Sequence, residues 1–253
     1  MLLDVVDVTK RFGGLKALNG VSLSARKGEV ILVIGPNGSG KTTLVNVCGG
    51  IYRPDAGKIA FDGQDITGVP AFKVAELGLT RSFQIPIPFS KLTVLENMLV
   101  ASGNGKGESF LFSTVRSTWE HSDIERAERA LTFLDALSLD RVRDTPAEEL
   151  SGGQLKLLEI GRALMMRSKL VMLDEPVAGV NPALSHMIFE KLLNLRDRMG
   201  LSFLIVEHRL DVALKYVDKI FAMANGKVIT SGTAEQVLND PSVIEAYMGG
   251  EPA

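Results

Sequence analysis

Cysteine is nearly absent. Cys48 is the only one in 253 residues, which excludes a disulfide framework or a Cys-rich metal site and suits a reducing compartment. Basic charge is not in excess either: 28 Lys and Arg stand against 30 Asp and Glu, unlike a surface built to neutralise nucleic-acid phosphates. No stretch approaches the roughly 20 apolar residues of a membrane span. The start, Met1-Leu2-Leu3-Asp4, has an acid where a signal peptide has a basic region. We therefore expect a chain that neither crosses a membrane nor leaves the cytoplasm by itself. Internal repeats and low-complexity tracts are missing. His121 and His186 fall in no motif and read as ordinary surface residues. What remains is a globular composition, 45% hydrophobic and 23% charged, in a chain long enough to bury about 70% of its surface.

The first third reads as strands and turns, with β-branched segments around Val5, Val8 and Gly20 to Ser24 broken at Gly13-Gly14. Glu29 to Ile34 is a continuous apolar run, as in a strand buried on both faces. A helix is expected from Lys41 to Gly49-Gly50, and a hairpin arm at Lys58 to Phe61 before Asp62-Gly63. From about Gln84 the texture turns helical, over Leu92 to Ala101 and Ser122 to Leu137, with Ile124, Ala127, Leu131 and Leu134 lining one face of the second helix and charges opposite. The glycine-rich stretch from Gly103 to Gly107 separates the two. After Ser151 strands and helices alternate again: Leu155 to Met166 helix, Leu170 to Leu173 strand, a helix opened by Asn181-Pro182, Ser202 to Val206 strand, a hairpin around Asn225-Gly226, and a capping box at Thr233 and Gln236. This pattern predicts a single α/β domain over 1–253. Its mostly parallel core is drawn from 1–84 and 151–253, with an N-terminal antiparallel β-subdomain and a helical lobe inserted at 85–150.

Gly35-Pro36-Asn37-Gly38-Ser39-Gly40-Lys41-Thr42, continued by Thr43, fits the phosphate-loop pattern G-x-x-x-x-G-K-[ST] between a buried strand and a helix. Its glycines let backbone N–H groups turn toward phosphate oxygens, and the helix N-terminus adds positive potential. Lys41 would reach the β- and γ-phosphates and the Thr42 hydroxyl would bind Mg²⁺. Four apolar residues then deliver Asp174 and Glu175 at a strand end, where ligands bind in open α/β sheets. Asp174 would orient Mg²⁺, and Glu175 would polarise an attacking water. Together the two motifs point to a nucleoside triphosphatase. Leu150-Ser151-Gly152-Gly153-Gln154 reads either as a Ser N-cap with a flexible Gly pair or as a second anion site that completes another subunit's nucleotide.

With these motifs in order, the chain resembles the ATP-binding-cassette (ABC) ATPases over essentially its whole length. Gln84 in Arg81-Ser82-Phe83-Gln84 matches that family's Q-loop, His208 in Ile205-Val206-Glu207-His208 its switch histidine, and Phe12 the aromatic that stacks on adenine. By themselves Phe12 could be core and His208 a satisfied strand-end histidine. Asn181 stands where the D-loop usually has Asp. The resemblance implies a head-to-tail dimer sandwiching two ATP molecules, each phosphate loop facing Ser151, Gly152, Gly153 and Gln154 of the other subunit. Gln84 would sense Mg²⁺ and His208 would contact the γ-phosphate.

No heptads or Cys clusters lie between Lys41 and Asp174, and no second phosphate loop follows. A transporter subunit is thereby favoured over a soluble non-transport ABC ATPase. Arg11 to Leu18, Leu92 to Asn97, Glu175 to Pro182 and Asn239 to Gly249 resemble the ATPases of branched-chain amino-acid importers, with urea and short-amide importers sharing much of the pattern. The implied partners are integral-membrane permeases, a second ATPase subunit and, indirectly, a substrate-binding protein, with no nucleic acid. The implied location is the cytoplasmic face of the membrane, held there by the permease. Ile85-Pro86-Ile87-Pro88-Phe89 reads either as satellite core or as the groove that receives a permease helix.

Overall fold

The computed structural model describes residues 1–82, 88–102 and 116–248. Gln84, residues 85–87 of the apolar connector and the glycine-rich stretch 103–107 lie outside the described residues. Among the described residues the chain forms, in order, β1 (Leu3–Phe12), β2 (Leu15–Ala25), β3 (Val30–Ile34), α1 (Lys41–Cys48), β4 (Ala56–Phe61), β5 (Gln64–Asp65), α2 (Ala71–Glu76), β6 (Leu79–Arg81), α3 (Val94–Ala101), α4 (Arg116–Ala136), α5 (Gly152–Leu164), β7 (Leu170–Asp174), α6 (Pro182–Met199), β8 (Ser202–Val206), α7 (Leu210–Ala213), β9 (Lys219–Ala224), β10 (Lys227–Gly232), α8 (Ala234–Leu238) and α9 (Pro241–Met248). They fall into two compact units, one of Met1–Gln84 with Lys169–Ala253, the other of Ile85–Ser168.

The first unit holds two sheets. One is antiparallel, in the order β2-β1-β4-β5. The other runs β10-β9-β3-β8-β7-β6, parallel from β9 to β6 with β10 antiparallel at its edge. Every residue of β3, β7 and β8 is buried, which is why their sequences are continuous apolar runs and not alternating ones. One core joins both sheets to α1: Val5, Ile59 and Phe61 come from the antiparallel sheet, Leu44 and Cys48 from the helix, and Ile31, Met172 and Leu204 from the parallel sheet. Truncating any one of these large side chains costs about 2–5 kcal/mol, a large share of a typical domain's total stability.

The local signals behave as their chemistry requires. Asn181 caps α6, its Oδ1 accepting the Leu184 N–H at 2.9 Å, with Pro182 in the first turn. Thr233 and Gln236 form a reciprocal capping box on α8. Asn225 and Gly226 both take positive φ, 48° and 73°, at the β9–β10 turn, the backbone a two-residue hairpin needs. Three elements carry weak sequence signals: β6 has only three residues, α2 six, and α9 begins at a Pro.

In the second unit α3 and α5 pack together and α4 joins them. Two expectations shift here. Of the apolar stripe on α4, Ile124 and Leu131 are exposed, and the buried residues are Ala130, Phe133 and Leu134, with Leu137 just past the helix end; helical spacing also fits this neighbouring stripe, and packing against α3 and α5 selects it. The unit also runs to Ser168 and not to 150, because α5 buries Leu157, Leu158, Ile160 and Leu164 beside α3 and α4. Phe89 is half exposed, its backbone held by Asn97, whose amide donates to the Phe89 carbonyl at 3.0 Å and whose Oδ1 accepts the Phe89 N–H at 2.8 Å.

Burial pushes the Cys48 thiol up to about 12. The folded chain therefore keeps a proton that the unfolded chain releases above pH ~8.5, so this group's contribution to stability falls as pH rises through that window. We expect Cys48 to resist a thiol-specific reagent at pH 8 until denaturant unfolds the chain. Rapid labelling of native protein would contradict the burial.

Candidate active site

The parallel sheet decides which loops meet. β3 lies beside β8, and β8 beside β7, so the segments leaving their C-terminal ends converge: the glycine loop from β3, Glu207 and His208 from β8, and Glu175 from β7. At its first residue the glycine loop has no room for a side chain. A Cβ on Gly35, whose φ is 151°, would run into the Met223 carbonyl and come within 2.8 Å of Ser39 Oγ. The loop delivers Lys41 into its own concavity, where the ammonium donates to the carbonyl oxygens of Gly35 at 2.8 Å and Pro36 at 3.0 Å. Lys41 is buried. That burial draws its pKa down, and the nearby charges of Glu175 and Asp174 oppose the shift.

Asp174 ends β7 almost fully buried, and its Oδ2 accepts from Arg81 at 3.0 Å. Arg81 also donates to Asn46 of α1. Burial pushes the Asp174 carboxyl above its ordinary pKa, with the Arg81 charge pulling the other way. Removing one member of such a buried pair costs about 3–5 kcal/mol, because the other charge is left uncompensated. Glu175, one residue on, has a left-handed backbone at φ 53°. Its N–H donates to the Val206 carbonyl at 2.8 Å, and its Oε1 lies 3.3 Å from His208 Nε2.

A cavity of about 490 Å³ opens in front of these groups, lined by Asn37, Gly38, Gly40, Lys41, Thr42 and Thr43 of the loop, by Glu175 and His208, and by Phe12 at its far wall. Phe12 is 41% exposed and meets Tyr52 edge-on at 5.1 Å. It is therefore not a core residue. His208 is also exposed, and so is not a sealed strand-end histidine. Ser39 is buried behind the loop.

The cavity also has a wall that the motifs do not announce: Leu15 to Ala17 of β2, and Asn225 and Gly226 of the β9–β10 turn. Gly226 donates its N–H to the Ser39 carbonyl at 3.1 Å, and its own carbonyl accepts the Asn19 N–H at 2.7 Å. The sequence signalled a hairpin there but not its contact, which is long-range. Ser151 and Gln154 belong to the second unit and form a capping box at the exposed start of α5, with Gln154 Oε1 accepting the Ser151 N–H at 2.9 Å and Ser151 Oγ accepting the Gln154 N–H at 3.3 Å. His186 is away from the site, its Nδ1 2.9 Å from the Tyr216 hydroxyl. Among the described residues no group of three or more His, Cys, Asp or Glu could hold a metal alone. An ion such as Mg²⁺, which takes one or two protein oxygens and completes its shell with phosphate and water, would find the Thr42 hydroxyl on the cavity wall and the Asp174 carboxylate, now held by Arg81, one residue before Glu175.

A glycine loop between a buried parallel strand and a helix, with a buried lysine and strand-end carboxylates, defines a P-loop nucleotide-binding domain. Comparison with known proteins agrees. Residues 18–178 match the ABC transporter family, and residues 227–253 the branched-chain amino acid ATP-binding cassette transporter family. The chain is 51% identical over 250 residues to the "Probable branched-chain amino acid transport ATP-binding protein LivG" of Archaeoglobus fulgidus, covering 99% of this chain and 96% of that one. It is 37% identical to the "High-affinity branched-chain amino acid transport ATP-binding protein BraF" of Pseudomonas aeruginosa, over 98% of each. Among solved structures, the ADP conformation of an ABC transporter's ATP-binding cassette superposes with a TM-score of 0.86 at 46% identity, over 99% of both chains. The chain belongs to the ATP-binding subunits of the ABC transporter family.

Gly226 gives a direct check on the unannounced wall. An added Cβ would lie 2.8 Å from the Ala17 carbonyl, at φ +73°. Gly63 has a similar φ of +81° with nothing within 4 Å. Both substitutions carry the cost of positive φ, but only Gly226→Ala adds a clash, so it should destabilise the fold by about 1–3 kcal/mol more than Gly63→Ala, read as a lower melting temperature. Equal losses would contradict the contact.

Proposed function

We propose that this chain is the ATP-hydrolysing motor subunit of an importer for branched-chain amino acids. The observation that carries the reading is the meeting of Lys41, Glu175 and His208 around one cavity in a chain whose relatives bear that transport name. The match of residues 227–253 to the branched-chain cassette family favours these substrates over urea or short amides.

In this reading the triphosphate lies along the glycine loop, with its adenine against Phe12. The backbone N–H groups of Gly38 to Thr43 and the Lys41 ammonium hold the phosphates, and Lys41 exchanges its two loop carbonyls for phosphate oxygens. Thr42, Asp174 and Gln84 would hold Mg²⁺, which when bound neutralises charge on the phosphate oxygens. Glu175 accepts a hydrogen bond from the attacking water and polarises it, and His208, whose Nε2 lies 3.3 Å from Glu175 Oε1, would contact the γ-phosphate. Catalysis is then positioning plus electrostatic stabilisation, as in other phosphoryl transfers. Ser151, Gly152, Gly153 and Gln154 would close over the nucleotide of a second subunit, for which α5 offers an exposed N-terminus. Asn181, its Oδ1 already engaged as the α6 cap, would meet that subunit as an uncharged D-loop residue. No described helix is long and apolar enough to cross a membrane, which fits a peripheral subunit that drives separate permeases at the cytoplasmic face, fed by a substrate-binding protein. The half-exposed Phe89 supports a permease contact at the connector.

Glu175→Gln tests the reading. We expect ATP binding to be kept, phosphate release to fall by at least about 100-fold, and ATP to trap a dimer visible by light scattering. Near-normal phosphate release would remove Glu175 from the role of base.

A further inference from the structure

Glu207 is a carboxylate that the proposed chemistry leaves unused, yet it is 1% exposed. Burying a charge is expensive unless it is fully hydrogen-bonded. Here both oxygens are occupied, and by backbone alone. Oε1 accepts the Val177 N–H at 3.0 Å, while Oε2 accepts the N–H of His208 at 3.0 Å and of Arg209 at 3.3 Å. One oxygen thus grips the segment after Glu175, and the other grips the segment that carries His208.

Arg209 repeats the link from the other side of His208. Its guanidinium donates to the Val180 carbonyl at 3.0 Å and lies 3.5 Å from Ser185 Oγ. Both residues that flank the histidine are therefore fastened to the 177–185 segment. That segment follows Glu175, whose φ of 53° is a conformation that persists only where the surroundings over-determine it. The Glu175 N–H bond to Val206 and the Ala178 N–H bond to the Glu175 carbonyl at 3.1 Å fix the start of the turn. Glu207 fixes Val177 between them.

We infer that Glu207, seconded by Arg209, is the positioning residue that sets the distance between Glu175 and His208, so that the two groups move as one body with the segment leading to α6. Glu207 touches neither substrate nor reacting atoms; it acts through the backbone of Val177 and His208. The inference rests on the proposed roles of Glu175 and His208.

Glu207→Gln is the informative variant. Gln is nearly isosteric, and its amide oxygen can serve Val177, but its NH₂ then faces two N–H donors with nothing to accept them. We expect kcat for ATP hydrolysis to fall about 10-fold or more, since small misplacements of reacting groups carry penalties up to about 100-fold. ATP affinity by equilibrium titration should stay within about twofold, because the glycine loop and Phe12 are untouched. Amide exchange should quicken at Val177 and His208 and stay unchanged in β3. An unchanged kcat in the folded variant overturns the inference, and so does an equal loss of affinity and turnover, which would mark a general folding defect. If Glu207→Gln fails to fold, Arg209→Ala must lower kcat with affinity kept; an unchanged kcat there also overturns it. Glu175→Gln inactive beside a fully active Glu207→Gln would leave the proposed function standing and remove the brace, whereas an active Glu175→Gln would remove the proposed function itself.

Discussion

Parallel strands have no hairpin to fix their register, so β3, β8 and β7 are held where they are by burial on both faces and by their neighbours' hydrogen bonds. The order β3-β8-β7 then leaves little freedom to the segments that leave the strand ends. A glycine loop, a histidine segment and a pair of carboxylates emerge side by side at one end of the sheet. The polar groups there are held by bonds that the sheet itself dictates, such as Glu175 N–H to the Val206 carbonyl across β7 and β8. The continuous apolar runs are therefore what aligns the site, and the charged residues inherit their positions from it.

That dependence explains which features were legible in the sequence. The phosphate loop was legible because its chemistry is local: eight consecutive residues hold the glycines, the lysine and the threonine, and the helix they open begins at Lys41. Asp174 and Glu175 were legible because a four-residue apolar run carries them to a strand end. The groups that were not legible act across the fold. Arg81 looks like any strand residue until Asp174 and Asn46 are beside it. Glu207 looks like a polar strand terminus until its oxygens are counted against three distant or neighbouring N–H groups. Gly226 announces a turn, and only packing shows that the turn backs onto Ser39 and Ala17.

Helices in the second unit obey the same constraint. Spacing alone allows α4 two adjacent apolar stripes, and only the presence of α3 and α5 chooses the one with Ala130 and Phe133. Likewise the segment 151–154 is a sound helix cap in this chain, and the role proposed for it needs a second subunit. Chemistry within one chain fixes its conformation, and the function proposed for it belongs to an assembly.

We propose the glycine loop and Lys41 as a preformed cradle for the phosphates of ATP. Lys41 now satisfies two carbonyls of its own loop, so exchanging them for phosphate oxygens is a small movement within an existing pocket. Equilibrium titration of ATP with Mg²⁺ into wild type and Lys41→Ala tests this most directly. A loss of affinity in the variant, with an unchanged circular-dichroism spectrum, is the result the account predicts. Equal affinity of the two proteins for ATP would contradict it.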